Sequence, residues 1–568
     1  MAGQKKKPPR KPRQSPSATQ TPAAETPASE ASAPQDPLHL IGRGVVPPLL
    51  NDAKRRVEMG LPADENELGR YMIELNILYR GGLREAAKAF HKMCREMLAE
   101  QAGSERPLVE ISKSYFQLRL SVKEWRKLLK KDDDNAQGDP SRRVIYKLWP
   151  DFKVKALVDR SVATVKADAA VKSYSATGSG ITWAVIDSGI DGAHPHFGSS
   201  QTNDTKLKSI LYHPSVEELH YDFTGDEAAA PGSADETPKA RKASAARALE
   251  DGLGHGTHVA GIISGGLPKD AIGFSEAAKP DQVRYAVFEQ VFEANLEGER
   301  LWSDKRPLER RPRPQAEAMH GVAPNCTLVS LKVLDENGNG RVSDIMRALV
   351  YVREQLNDDP KMLRVHGVNL SVGYDFDAQM FACGQSPLCV EVDRLVRSGV
   401  VVVTAAGNTG YGSVNAAERQ TKVGLSNTIN DPGNASLAIT VGSTHRDSPH
   451  TYGVSFFSSK GPTGDGRLKP DLVAPGERIT SCASKSKCEK LGIDVDQGVA
   501  AYVDDSGTSM AAPHVSGAIA AFLSIRREFI QRPEEVKKIF LESATSLGRE
   551  RYFEGHGLVD LMRAIQSV

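Results

Sequence analysis

The sequence predicts an α/β protein with a mostly parallel central sheet and helices on both sides of it, preceded by a small α+β unit and a disordered tail. Three observations carry this. From about residue 165 onward, short apolar runs alternate with segments of helical period, the order that builds a parallel sheet. Between about 65 and 157 the patterns run strand, helix, strand, helix, strand, which makes a small sheet with helices on one face. Residues up to about 40 are mostly Pro, Ala, Ser, Thr and Glu with almost no aromatic side chain, so they cannot bury enough apolar surface to offset chain entropy. The domain limits drawn from these shifts are 1–42, 43–160 and 161–568.

The tail opens with Lys5, Lys6, Lys7, Arg10, Lys11 and Arg13, and no apolar segment follows, so it reads as a solvated tail rather than a secretion signal. No apolar run is long enough to span a bilayer, so no membrane partner is expected. A cytoplasmic location follows as an expectation, and with it six free thiols rather than disulfides. Cys383 and Cys389 share their spacing with Cys482 and Cys488, which admits two local bridges or a metal site; neither pair has the C-x-x-C spacing of zinc, and no metal is expected. A net charge of +1 gives no general attraction to nucleic acid.

In the small unit, 71–78 reads as a strand with Tyr71, Ile73, Leu75 and Ile77 on one face. Leu83, Ala86, Ala87, Phe90, Cys94, Met97 and Leu98 form one helical stripe, on which Cys94 is a buried structural thiol. A second strand is expected at 115–120. Ser121 and Glu124 form a capping box that starts a helix carrying Val122, Trp125, Leu128 and Leu129, and a last strand is expected at 143–148. In the large unit, 199 to about 250 and 266 to about 318 are rich in charge and in Pro, Ser and Ala, and read as surface insertions. The run around 400–406 reads as a buried strand.

Three segments of the large unit carry chemistry. The apolar strand at 181–186 ends at Asp187-Ser188-Gly189, and a carboxylate at the carboxyl end of a parallel strand lies where open α/β sheets place their sites. Gly254-His255-Gly256-Thr257-His258 leads into an apolar helix, with glycines that permit close approach on both sides of the imidazole. Ser506-Gly507-Thr508-Ser509-Met510 opens an Ala- and Gly-rich helix, where a Ser has unpaired backbone N–H groups beside it.

These three segments, in this order, resemble the Asp, His and Ser signatures of the subtilisin family of serine proteases. The stretches 321–324, 369–373, 405–408 and 557–560 are similar to family segments as well, and the resemblance covers about 165 to 568. It implies a subtilisin-like three-layer fold and a serine endopeptidase acting on polypeptides. It implies Asp187, His255 and Ser509 as catalytic triad, and the Ser509 N–H with the Asn408 amide as oxyanion donors. Substrate would lie as a strand between Gly338 to Val342 (Gly338 and Gly340 in particular) and Ser371, Val372 and Gly373. The S1 pocket, which takes the side chain before the scissile bond, would lie between Ser371 to Gly373 and Ala405, Ala406 and Gly407, with Asn430 at its floor. A polar floor there favours a polar or basic residue; the other reading of Asn430 and Asp431 is a turn before proline.

The unit at 43–160 resembles the α+β, ferredoxin-like propeptide of many subtilisins, which implies an intramolecular inhibitor whose tail blocks the cleft, with cleavage between about 157 and 172. The alternative is a partner-binding module. The chemistry requires no cofactor. Structural calcium is common in the family, but the loop that holds it falls in the charged insertion, so no calcium ligand is assignable. His194, His258 and His514 read as structural. Two other functions stay open: a non-catalytic peptide-binding scaffold, and a protease switched by nucleic acid or a partner.

Overall fold

The computed structural model describes residues 50, 53, 56 and 61–568, except 100–105, 152, 157–160, 162, 199–208, 226–230, 232–235, 269, 274–281, 291–307, 312–318, 360, 378–379, 381, 417–418 and 497. The basic tail and most of the second charged segment therefore lie outside the described residues.

The small unit runs strand Gly69–Leu75, helix Leu83–Ala99, strands Val109–Ser112 and Tyr115–Leu120, helix Val122–Ala136 and strand Ile145–Pro150. Its four-stranded antiparallel sheet has the order Val109–Ser112, Tyr115–Leu120, Gly69–Leu75, Ile145–Pro150. The capping box forms: Ser121 Oγ accepts from the Glu124 N–H, and Glu124 Oε2 accepts from the Ser121 N–H at 2.7 Å. Strand alternation gives the sheet two apolar faces. Tyr71, Ile73, Leu75, Phe116, Leu118 and Leu120 pack under the two helices. Met72, Ile111, Tyr115 and Trp149 face the other way and join a core of the large unit.

Three expectations for this unit change. The first strand stops at Leu75, and Ile77 is 63% exposed. The chain turns at Asn76, whose amide donates to the carbonyls of Pro140 and Arg143. The last strand begins two residues later than expected, because the Val144 and Ile145 N–H groups are held by the Asp132 carboxylate before pairing starts. Val109–Ser112, too short and too polar to read by period, is an added strand.

The large unit is built on seven parallel strands in the order Leu472–Glu477, Ile439–His445, Val401–Ala405, Gly367–Leu370, Thr182–Asp187, Thr327–Lys332, Tyr221–Asp222. Its central strands are apolar on both faces, as a sheet covered on both sides requires. Trp183 and Val185 enter the core under the helices His255–Ile263 and Thr508–Ile525; Ala184 and Ile186 enter the opposite core with Val342–Tyr351 and Pro387–Arg397. Gly367 sits against Trp183, where a Cβ would lie 2.2 Å from the indole ring. Thr508–Ile525 is long and apolar enough to cross a membrane, and it is buried in the centre of the fold.

The first expected insertion is only partly surface. Leu211, Val216, Leu219, Tyr221, Phe223 and Ala248 are buried, and Tyr221–Asp222 adds the edge strand of the main sheet. The second contributes Arg284–Gln290, which pairs parallel with Val499–Asp505 in a smaller five-stranded sheet. Both segments read as surface insertions in the sequence because their charged side chains mask short stretches that the tertiary fold buries.

Candidate active site

Asp187 closes the strand Thr182–Asp187, and its side chain is 0% exposed. The next turn lies against the start of the helix His255–Ile263. Gly256 makes this approach possible, since a Cβ there would stand 2.1 Å from the Gly189 carbonyl oxygen. Gly254 has φ +88, the left-handed backbone that favours glycine. Asp251 then fastens the helix start: it accepts from the Gly254 N–H at 2.7 Å, the Thr257 N–H at 2.8 Å, Thr257 Oγ1 at 2.6 Å and Ser188 Oγ at 2.8 Å. Ser188 Oγ accepts in turn from the Gly256 N–H at 2.9 Å. Burial pushes the Asp251 carboxyl above its usual range, against the pull of those donors.

The result is a 2.6 Å contact between His255 Nδ1 and Asp187 Oδ1, both side chains buried. The Ser188 N–H also donates to Asp187 Oδ1, at 2.8 Å. A neutral imidazole that donates from Nδ1 carries its lone pair on Nε2, the arrangement of a general base.

Ser509 is the second residue of the helix Thr508–Ile525. Pro513 lies inside that helix and has no N–H, so the Ser509 carbonyl lacks its normal partner four residues on. Ser371 supplies it: Ser371 Oγ donates to the Ser509 carbonyl at 2.7 Å. Ser509 Oγ itself donates to the Ser371 carbonyl at 3.0 Å. Asn369 Nδ2 donates to Ser371 Oγ at 2.9 Å, and Ser516 Oγ in turn donates to Asn369 Oδ1 at 2.8 Å. Across the helix start, Asn408 Oδ1 accepts from the Thr508 N–H at 2.9 Å and Thr508 Oγ1 at 3.0 Å, which turns its amide hydrogens away from the helix. Gly407 N–H donates to Thr508 Oγ1 at 3.1 Å.

Beside these groups, Lys153–Ala156 forms a strand between Gly340–Arg341 and Val372–Gly373, antiparallel to both. Val154 stands opposite Gly340, Lys155 opposite Gly373 and Ala156 opposite Val372. This strand was not legible in the sequence. Gly338 stands apart from the pairing: it lies in the turn at Asp335, with φ +78 and its N–H on the Asp335 carbonyl.

The other residues expected to line a substrate pocket converge. Ala405 ends its strand, and the Ala406 carbonyl accepts from the Asn430 N–H at 2.9 Å. Tyr374 and Asp431 exchange backbone hydrogen bonds of 3.0 Å. Asn430 thus ties the wall of Ala405 to Gly407 to that of Ser371 to Gly373. Its side chain fills the place a Gly407 Cβ would take, 2.6 Å away.

The histidines outside this cluster are used structurally: His194 Nε2 meets the Ala501 carbonyl, His258 Nε2 that of Val503, and His514 Nδ1 that of Met510. All six cysteines are free and buried. Among the described residues no cluster of acidic, His and Cys side chains suits a metal ion.

Three contributors went unread in the sequence: Asp251, Asp375 and Asp151. Only Asp251 left a signal, an Asp just ahead of a helix start in a Gly-rich run. Asp375 accepts from Asn430 Nδ2 at 3.1 Å across 55 residues of chain. Asp151, from the small unit, accepts from the Ser343 N–H at 3.0 Å and Ser343 Oγ at 2.7 Å, and so caps the helix Val342–Tyr351 of the large unit.

Comparison with known proteins gives a consistent answer. The serine protease AprX of Bacillus subtilis is 28% identical over 403 residues, covering 70% of this chain and 68% of the relative. Pyrolysin of Pyrococcus furiosus is 30% identical over 352 residues, 55% of this chain but 21% of that longer protein. Subtilisin E of Bacillus subtilis is 26% identical over 409 residues, 72% of this chain and 71% of the relative. The model of the subtilase family, peptidase family S8, matches residues 178–558, which takes in Asp187, His255, Asn408 and Ser509, and the chain belongs to that family.

Proposed function

We propose that this protein is a serine endopeptidase that works through an acyl-enzyme on Ser509 and is restrained by its own N-terminal unit. The observation that carries the reading is the strand Lys153–Ala156, paired on both edges beside Ser509. It occupies the cleft in the way an extended substrate would, by main-chain pairing that reads little sequence.

The chemistry follows from the groups around it. As Ser509 Oγ bonds to the scissile carbonyl carbon, its proton passes to His255 Nε2, and Asp187 stabilises the imidazolium that forms. The oxyanion takes hydrogen bonds from Asn408 Nδ2 and the Ser509 N–H. The C–N bond then breaks, and His255 returns the proton to the departing amine. Water, deprotonated by His255, attacks the resulting ester, releases the carboxylic acid and restores the Ser509 hydroxyl.

Restraint is supported by how the small unit is held. One face of its sheet shares a core with the large unit, and the Arg394 guanidinium lies over the Tyr115 ring, 5.5 Å from its centroid. Asp151 caps Val342–Tyr351 just before the chain enters the cleft. The strand in the cleft ends at Ala156, so self-processing is expected between about 157 and 172. The test is incubation of the purified chain with a fluorophosphonate, followed by N-terminal sequencing. Labelling that disappears in Ser509→Ala, with a new terminus between about residues 158 and 173, is the expected result; labelling that persists in Ser509→Ala overturns the assignment.

A further inference from the structure

We propose that Asp375 makes the S1 pocket selective for a basic side chain, lysine or arginine, on the residue whose carbonyl Ser509 attacks. This rests on the peptidase reading above and specifies its substrate class.

The pocket lies between Ser371 to Gly373 and Ala405 to Gly407, and the segment from Asn430 to Asp431 joins the two walls by backbone hydrogen bonds to Ala406 and Tyr374. Its floor is the Asn430 side chain, pressed against Gly407. That carboxamide is fixed at both ends: Thr409 Oγ1 donates to its Oδ1 at 2.9 Å, and its Nδ2 donates to Asp375 Oδ1 at 3.1 Å. Its orientation is therefore set, with a carboxylate at its donor end. Asn430 is more than a turn residue before Pro432, because its side chain links the two rims of the pocket instead of bonding its own backbone.

Asp375 follows the Val372–Gly373 wall by two residues and is exposed. Among the described residues no Lys or Arg forms an ion pair with it. Lys460, whose backbone is bonded to Thr428 near the same floor, is used on the carbonyls of Gly410 and Phe456. Arg467 is used on Asp465. A carboxylate is only an acceptor, and one Asn donor leaves most of its lone pairs for water or a cation. A long side chain entering between the walls brings its apolar stem along Ala405 and Ala406 and its charged end toward Asn430 Oδ1 and Asp375. An ammonium or guanidinium finds acceptors there; an acidic side chain meets a like charge, and an apolar one strips water from a carboxylate without replacing it.

The test uses the full-length chain and three peptidyl phosphonates that differ only in the residue bound at S1: basic, leucine or glutamate. The basic probe is expected to label Ser509 roughly tenfold to a hundredfold faster than the leucine probe, and the glutamate probe slowest. Asp375→Asn should shrink the basic-to-leucine ratio at least fivefold, and Asp375→Lys should move preference toward glutamate, each by roughly the strength of a half-exposed charge contact. Leucine labelling as fast as basic in the native chain overturns the proposal, and that measurement needs no variant to fold. An unchanged ratio in Asp375→Asn overturns it equally. If no probe reacts even after the lag, once the chain has had time to process itself, the peptidase reading fails and this proposal fails with it.

Discussion

The hydroxyls of Ser371 and Ser509 each donate to the other's carbonyl oxygen, at 2.7 Å from Ser371 and 3.0 Å from Ser509. The pairing has a cause in the sequence: Pro513 deprives the Ser509 carbonyl of its helical donor, and Ser371 replaces it. It also places the Ser509 hydroxyl on a carbonyl that an incoming peptide N–H can take. On the proposed peptidase reading, substrate pairing at Ser371 is expected to displace Ser509 Oγ and free it to turn toward His255.

Ser371→Ala should leave the Ser509 carbonyl buried without a side-chain donor, both residues being at most 2% exposed. The expected cost is about 1–3 kcal/mol of unfolding free energy. Urea titration of the inactive Ser509→Ala chain, with and without Ser371→Ala, measures it free of self-digestion. A change below roughly 0.5 kcal/mol would mean the carbonyl finds another partner.

Loss of Ser509 or His255 should abolish nearly all turnover. Ser509→Ala or His255→Ala is expected to lower kcat on the order of a million-fold, since nucleophile and base act as a unit. Asn408→Ala should lower kcat roughly a hundred- to a thousand-fold with little change in KM, because the oxyanion exists only in the transition state. Steady-state kinetics on one peptide separates the cases. An Asn408→Ala loss that falls mainly in KM would assign that amide to ground-state binding.

These residues could be placed from the sequence because each sits at a local event: Asp187 at the end of an apolar strand, His255 and Ser509 at helix starts. The parallel sheet was legible for the same reason, its strands being apolar on both faces. What stayed hidden was non-local. Asp375 and Asn430 lie on separate loops, and only the backbone bridge of Tyr374 with Asp431 brings them together. Asp151 caps a helix whose first turn lies 192 residues further on. Tyr221–Asp222 is a two-residue strand defined by its partner Leu331–Lys332 rather than by its own pattern. Ile77 misled because alternation continued after the backbone had turned at Asn76.

Asp151 gives the proposed restraint a handle. Removing its carboxylate in Asp151→Ala leaves the Ser343 N–H and hydroxyl without that partner at the start of Val342–Tyr351. A lost cap costs about 0.5–2 kcal/mol, which is roughly a twofold to thirtyfold weaker hold of the small unit on the large one. The full-length Asp151→Ala chain should therefore show a shorter lag before peptide hydrolysis begins, while the final rate per labelled Ser509 stays that of the native chain. An unchanged lag would place the restraint elsewhere on the interface.

His220 offers a test of how acid loosens the large unit. It is fully buried, its Nδ1 accepts from the Ser330 N–H at 2.9 Å and its Nε2 meets the Leu211 carbonyl at 2.8 Å. That pattern requires a neutral ring, since a protonated one has no acceptor for Ser330. Burial accordingly pushes its pKa down to about 4 from an ordinary value near 6.5. The unfolded chain therefore takes up a proton that the folded chain refuses between those values. The stabilising share of His220 is whole above pH 6.5 and is lost as pH falls toward 4. His220→Asn should be less stable than the parent at neutral pH, because both ring contacts go. Acidification should then narrow the gap, by about 1.4 kcal/mol per pH unit between pH 6 and 4.5, as the parent alone carries this proton. Comparing two chains cancels the other titrating groups, including Asp132 and Asp344, whose carboxyls burial raises to about 6 and which act in the opposite sense. Urea midpoints of both chains on the Ser509→Ala background supply the numbers. A gap that stays constant from pH 7 to 4.5 would mean that His220 protonates in place, with the Ser330 contact remade around it.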